Sequence, residues 1–201
     1  MRNNVEISII STVRNEEDNL EELHTRLVHI CERIGKSFEI IYVENGSTDK
    51  SLEILKGLKN ATIISLRVPT YIKKSTQTAA IDAGIKQAKG SILVTIDSDL
   101  QNPPKEIPKL LKKLEADRLD VVSGWRKDRK DNFFIKSLSR FGSLLRRKFI
   151  NPGIHDLGCT LKAYRKECFE STVRCIATLS NMHHEKQVEV IIPDSRCSRV
   201  L

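Results

Sequence analysis

No run of about 18 consecutive apolar residues, the length a helix needs to cross a bilayer, occurs in the chain, so no transmembrane helix is expected. The opening Met1-Arg2-Asn3-Asn4 leads straight into the apolar stretch Val5–Ile10, with nothing that resembles a signal or transit peptide. Cys31, Cys159, Cys168, Cys175 and Cys197 show no C-x-x-C spacing. An odd, unpatterned set excludes a recognisable disulfide framework and reads as reduced thiols in a cytosolic compartment. His183-His184 lacks companions at zinc-type spacing and is not read as a metal site. Neither G-x-G-x-x-G nor G-x-x-x-x-G-K-[ST] is present, so there is no dinucleotide fingerprint and no P-loop. Aromatic residues make up only 5% of the chain, and no known nucleic-acid module is evident, so nucleic acid is not expected as a partner.

Positive charge is abundant but unevenly placed. Residues 1–100 hold 13 Lys/Arg and 14 Asp/Glu, whereas residues 101–201 hold 21 and 12, which points to an anionic partner for the second half. Residues 126–148 concentrate this excess, with nine Lys/Arg against Asp128 and Asp131. Phe134, Leu138, Phe141, Leu145 and Phe149 recur at helical spacing and form one apolar stripe. A basic amphipathic helix of this kind fits a membrane interface. It equally fits a core-facing helix with solvated lysines, and composition does not separate the two.

The first 125 residues alternate strands with amphipathic helices. Strands are expected at Val5–Ile10, Phe38–Val43, Thr62–Leu66, the run ending at Asp97, and Asp120–Gly124. Helices are expected from the Leu20, Leu23, Leu27, Ile30, Ile34 stripe, from Leu52, Leu55 and Leu58 after a Ser47 or Thr48 cap, over Thr76–Lys89, and after Pro103-Pro104. Residues 67–75 read as irregular, and Ile154–Arg165 as extended. This alternation predicts βαβ units and a mostly parallel α/β sheet covered by helices. Ligands of such sheets bind beyond the carboxyl ends of the strands. Three strands end there in polar clusters: Thr12-Arg14-Asn15, Glu44-Asn45-Gly46-Ser47 and Asp97-Asp99. Two carboxylates one residue apart at such an edge suit Mg²⁺ or Mn²⁺ shared with substrate phosphates. Taken alone, the Asp97-Ser98-Asp99 pair reads more readily as a solvated loop that caps the next helix, and Asp156 at least as readily as a loop carboxylate satisfied by backbone N–H groups.

Several stretches together resemble a known family. They are Ser8–Ile10 through Asn15-Glu16-Glu17; Ile40 to Asp49; Ala79-Ala80 with Gly84, Ala88 and Gly90; Asp97-Ser98-Asp99-Leu100-Gln101-Asn102-Pro103-Pro104; Asp120–Val122 with Gly124 and Arg126; and Asp156-Leu157-Gly158-Cys159 with Ala163-Tyr164-Arg165. The pattern resembles glycosyltransferase family 2, with its GT-A fold, and in particular the polyprenyl-phosphate sugar transferases. It runs over roughly residues 5–168, and the D-x-D-L-Q-N-P-P stretch is its most specific part.

The resemblance implies an inverting, metal-dependent enzyme that moves a sugar from a nucleoside-diphosphate sugar to a polyprenyl phosphate. It implies a Rossmann-like GT-A domain over residues 1–170 with a basic interfacial helix. Asp97, Asp99 and Gln101 fall at metal and diphosphate ligands, with Mg²⁺ or Mn²⁺ as the cofactor. Thr12, Glu44 and Asn45 (with Asp97) fall where nucleobase and ribose are held. Arg126 and Lys136 fall where the acceptor phosphate is gripped, and Asp156 falls at a further active-site acid. The expected location is the cytoplasmic face of a membrane, with or without a partner protein that supplies an anchor.

There are departures from the family pattern. Glu44-Asn45 replaces two aspartates, Thr12-Val13-Arg14-Asn15 lacks the usual Pro and Tyr, and residues 67–74 replace an Arg-Asn-Tyr/Phe-Gly stretch. Residues 171–201 read as a shortened or atypical tail in which a strand near Val188–Ile192 is a remnant. A catalytically impaired relative that binds nucleotide sugar, or docks on membranes as a regulator, is the alternative these departures imply.

Overall fold

The computed structural model describes residues 5–66, 77–125, 159–169 and 188–191. The strands are β1 (Ile7–Val13), β2 (Phe38–Glu44), β3 (Ala61–Ser65), β4 (Ile92–Asp97), β5 (Val121–Gly124), β6 (Lys162–Arg165) and β7 (Val188–Ile191). The helices are α1 (Leu20–Ile34), α2 (Ser51–Gly57), α3 (Gln77–Gln87) and α4 (Ile107–Ala116), with a 3₁₀ turn over Pro104–Glu106. The strands form one sheet in the order β3-β2-β1-β4-β6-β5-β7. Neighbours β3, β2, β1 and β4 are parallel. Strand β6 is antiparallel to both β4 and β5, and β7 is parallel to β5. Among the described strands, β6 alone therefore runs backwards. The carboxyl ends of the other six strands share one edge of the sheet.

The period of two along β1 builds both layers. Ile7, Ile9 and Val13 pack with Ile40, Tyr42, Val94 and Ile96 against Leu20, Leu23 and Leu27 of α1 and Ile107, Leu110 and Leu114 of α4. Ile10, Ile41, Val43 and Leu93 point to the other face, beneath Ala80 of α3. The central strands are buried on both faces, which explains their near-continuous apolar runs. Small residues on α3 allow it to lie close. A Cβ on Gly84 would stand 2.4 Å from Ile10 Cγ2. Helix α1 closes as its sequence implies, with Gly35 left-handed (φ 73) and its N–H bonded to the Cys31 and Glu32 carbonyls.

Three expectations shift. Helix α2 begins at Ser51, not behind a Ser47 or Thr48 cap; Asp49 Oδ1 accepts the Ser51 N–H at 2.9 Å, while Ser47 and Thr48 bond to Asn15 instead. Helix α3 ends at Gln87, before Gly90. Gly90 serves close packing, since a Cβ there would lie 2.6 Å from the Ser8 backbone nitrogen. Within the expected extended stretch, Lys162–Arg165 is the strand. The basic segment 126–148 with its helical stripe to Phe149, and the irregular 67–75 segment, lie outside the described residues.

Candidate active site

The parallel register sets the site. Thr12 stands opposite Val43 of β2 on one side and Asp97 of β4 on the other, and Val13 stands opposite Glu44. The three polar strand ends read from the sequence therefore meet at one edge. Two contacts hold them. Ser98 Oγ donates to the Thr12 carbonyl at 2.9 Å, and the Asn45 N–H donates to the Val13 carbonyl at 2.9 Å.

Beyond the strands, the β1–α1 and β2–α2 loops clasp each other. Asn15, left-handed at φ 54, donates its N–H to Ser47 Oγ at 3.1 Å. Its Oδ1 accepts the Thr48 N–H at 2.8 Å and the Thr48 hydroxyl at 3.3 Å. The Glu16 N–H donates to Ser51 Oγ at 2.8 Å, the Glu17 N–H to Asp49 Oδ2 at 3.2 Å, and the Lys50 N–H to Glu17 Oε2 at 2.9 Å. Glu44 is 3% exposed, and its two oxygens accept the Ser47 N–H and the Ser65 hydroxyl, which braces the start of the second loop from below. Asn45 is also buried.

Asp97 is held from two sides. Its Oδ1 accepts Gln77 Nε2 from the first residue of α3 at 2.8 Å, and its Oδ2 accepts Thr160 Oγ1 at 2.6 Å. Asp99 sits in a tight turn; its Oδ1 accepts the Gln101 N–H at 3.0 Å, and Leu100 between them is left-handed at φ 58. That turn re-aims the chain away from the sheet, and Pro103-Pro104 then starts the 3₁₀ turn and α4. Asp97 and Asp99 are half-buried, and Gln101 is exposed.

Negative charge gathers at this edge. Burial raises the Glu16 carboxyl above the usual range, and Asp99, Asp97 and Asp49 add to the rise against a hydrogen bond from Asn19. The donor set is all oxygen, as a hard divalent cation prefers, and the accumulated charge favours one. Among the described residues no three His, Cys, Asp or Glu side chains converge as a ready-made cage. A cation here would complete its shell with substrate phosphate and water, the habit of Mg²⁺. The residues present fit such an ion.

The structure brings Thr12, Glu44, Asn45, Asp97, Asp99 and Gln101 to one edge; Arg126, Lys136 and Asp156 lie outside the described residues. Gln77 and Thr160 are the residues the sequence reading missed. Gln77 could have been suspected as the polar residue that opens a small-residue helix. Thr160 had no local signal, because its place depends on a strand that runs backwards.

The family model for glycosyl transferase family 2 matches residues 8–173. The undecaprenyl-phosphate 4-deoxy-4-formamido-L-arabinose transferases of Salmonella paratyphi B and Salmonella newport are 36% identical over 193 residues, covering 92% of this chain. The chain spans 58% of the length of those relatives. Among solved structures, glucosyl-3-phosphoglycerate synthase from Mycobacterium tuberculosis, in complex with Mn²⁺, uridine diphosphate and phosphoglyceric acid, superposes with a TM-score of 0.68 at 18% identity, over 94% of this chain and 68% of that one. A mycobacterial protein superposes at 0.63 with 25% identity, over 81% and 54%. The sheet order, the D-x-D turn at the strand edge and these likenesses agree on the GT-A fold, and the chain belongs to glycosyl transferase family 2.

Proposed function

We propose that this chain carries out inverting transfer of a sugar from a nucleoside-diphosphate sugar to a polyprenyl phosphate at a membrane surface. The observation that carries the reading is the meeting of Thr12, the Glu44-Asn45 loop and the Asp97–Gln101 turn at one sheet edge, in a family member 36% identical to undecaprenyl-phosphate sugar transferases. Thr12 and Asn45 hold nucleobase and ribose, and Glu44 contributes by bracing the loop they share. Asp97, Asp99 and Gln101 take the diphosphate side together with Mg²⁺ or Mn²⁺. When bound, the cation supplies Lewis-acid neutralisation of the leaving nucleoside diphosphate.

The acceptor is a phosphate monoester with a second pKa near ~6, so it is largely dianionic at neutral pH and needs no strong general base. One of its oxygens attacks the anomeric carbon as the bond to the diphosphate oxygen breaks. The electron pair leaves on the diphosphate, and the carbon inverts. Two anions must be brought together, so cations are needed at both. Arg126 grips the acceptor phosphate in bidentate fashion, Lys136 adds a point charge, and Asp156 completes the acceptor side. The segment that carries these three leaves β5 after Gly124 and returns before Lys162, opposite Ser123, so both of its ends lie at the edge that holds Asp97. The basic stripe over 126–148 is read as the membrane-facing helix on the cytoplasmic side, alone or with a partner that supplies an anchor.

The test is a screen of radiolabelled nucleotide sugars against undecaprenyl and dolichyl phosphate, with and without Mn²⁺. Transfer to one lipid phosphate that requires the metal, and that Asp99→Asn abolishes, is the expected result. Binding of nucleotide without transfer to any lipid phosphate would overturn it in favour of a non-catalytic relative.

A further inference from the structure

The register between β4 and β6 places Thr95 opposite Lys162. Continued two residues beyond that pair, the same antiparallel register sets Thr160 opposite Asp97, and the Thr160 hydroxyl donates to Asp97 Oδ2 at 2.6 Å. Thr160 is itself fixed from three sides. Its backbone carbonyl accepts Thr95 Oγ1 at 2.6 Å. Its hydroxyl oxygen accepts Asn102 Nδ2 at 3.2 Å. Asn102 is only 3% exposed, and its Oδ1 and the Leu161 carbonyl lie 3.6 and 3.8 Å from the buried Cys159 thiol.

A hydroxyl that accepts from Asn102 has a single hydrogen to give, and the short contact shows where it goes. The chain Asn102–Thr160–Asp97 is therefore directional: each member donates to the next and ends on the carboxylate. A carboxylate that accepts a fixed donor loses rotamer freedom before any ligand arrives, and this lowers the ordering cost of binding.

We propose that Thr160 is a positioning residue for sugar transfer: it locks the Asp97 carboxylate in place on the donor side, with Gln77 steadying the other oxygen. This rests on the reading of Asp97 as part of the donor site. The sequence adds a consequence. Thr160 follows Asp156 by four residues and ends the segment that holds Arg126 and Lys136. The same residue that orders the donor carboxylate thus anchors the return of the acceptor-side segment to the sheet.

The experiment is calorimetric titration of UDP, with GDP and CDP in parallel, in the presence of Mn²⁺, and the tightest ligand is carried forward. The proteins are wild type, Thr160→Val, Thr160→Ser, Asp97→Asn and the Thr160→Val/Asp97→Asn double variant. Thr160→Val is expected to bind about tenfold more weakly, the scale of one hydrogen bond to a charged group. Thr160→Ser, which keeps the hydroxyl, is expected within about twofold of wild type. In the Asp97→Asn background the Val substitution is expected to add less than about twofold, because it acts through that carboxylate. Thr160→Ala carries the same test should the Val variant fail to fold. Wild-type affinity in Thr160→Val beside a weakened Asp97→Asn overturns the inference, as do penalties that add in full in the double variant. Wild-type affinity in Asp97→Asn, or no diphosphate bound by the wild type, removes the donor-site reading itself, and the inference falls with it.

Discussion

Asn15 offers a sharp test of how the loops after β1 and β2 are held together. Its backbone is left-handed at φ 54, and its Oδ1 accepts two hydrogen bonds from Thr48. Asn15→Ala removes both bonds, worth about 1 kcal/mol together at this exposed position. It also forces a Cβ-bearing residue without a stabilising side-chain contact into the left-handed region, at about 1 kcal/mol more. The sum of about 2 kcal/mol corresponds to a Tm lowered by roughly 4–8 °C for a chain of this size. Asn15→Gly keeps the backbone conformation and loses only the bonds plus some unfolded-state entropy, so it should lie above the Ala variant by somewhat less than about 1 kcal/mol. Asn15→Asp keeps the acceptor and should stay nearest to wild type. Urea unfolding followed by far-UV circular dichroism gives all four values. Glycine as damaging as alanine would refute the left-handed account. An alanine variant within about 0.5 kcal/mol of wild type would refute the clasp, since substitutions away from any structural device stay in that range.

Other outcomes follow from single features. Asp99→Asn should abolish transfer while leaving the ligand-free Tm almost unchanged, which a melt beside the radiolabel assay checks; retained turnover would remove Asp99 from the metal site. Burial pushes the Cys31 thiol up to about 12, so mass spectrometry after iodoacetamide at pH 8 should find it unmodified in the native protein and alkylated in urea. Burial holds the His24 imidazole below its ordinary pKa of 6.5, so the unfolded chain binds more protons in the window just beneath that value. Stability is then full above pH 6.5 and declines as pH falls through the window, and His24→Gln should flatten that slope in urea midpoints measured from pH 5 to 8. Gly84→Ala drives a methyl onto Ile10 Cγ2 and should cost about 1–3 kcal/mol in the same unfolding assay.

The legible parts of this chain were those set by local pattern. The apolar runs of β1, β2 and β4 and the stripe on α1 depend on nothing beyond their own residues, and each was found within a few positions. The three polar strand ends could be placed together because parallel βαβ units leave them no other edge. What escaped was non-local. Ser47 and Thr48 have the chemistry of helix caps, yet a loop 32 or 33 residues away takes their hydrogen bonds, and Asp49 serves α2 instead. Gln77 reaches Asp97 across 20 residues. Thr160 reaches it across 63, through a strand whose direction no local pattern announces.

That reversed strand bears on chemistry as much as on topology. In an all-parallel sheet the residue that enters a strand lies at the edge opposite to the ligands. Because β6 is antiparallel to β4 and β5, its entry residues lie at the ligand edge. The chain therefore leaves the sheet after β5 and re-enters it at β6 on the same edge, with 33 residues between Trp125 and Cys159. The proposed single-displacement transfer would need such a return. On that proposal the donor phosphates would depend on strand ends β1, β2 and β4 and the acceptor phosphate on cations from elsewhere in the chain, and the two would have to meet within bonding distance of one carbon. On the same proposal, the hydrogen bond from Thr160 to Asp97 would tie the two groups directly instead of through the whole sheet. A substitution at Thr160 should consequently disturb both substrates, whereas one at Asn15 should disturb only the nucleotide, and the KM values for sugar nucleotide and lipid phosphate in the two variants distinguish these outcomes.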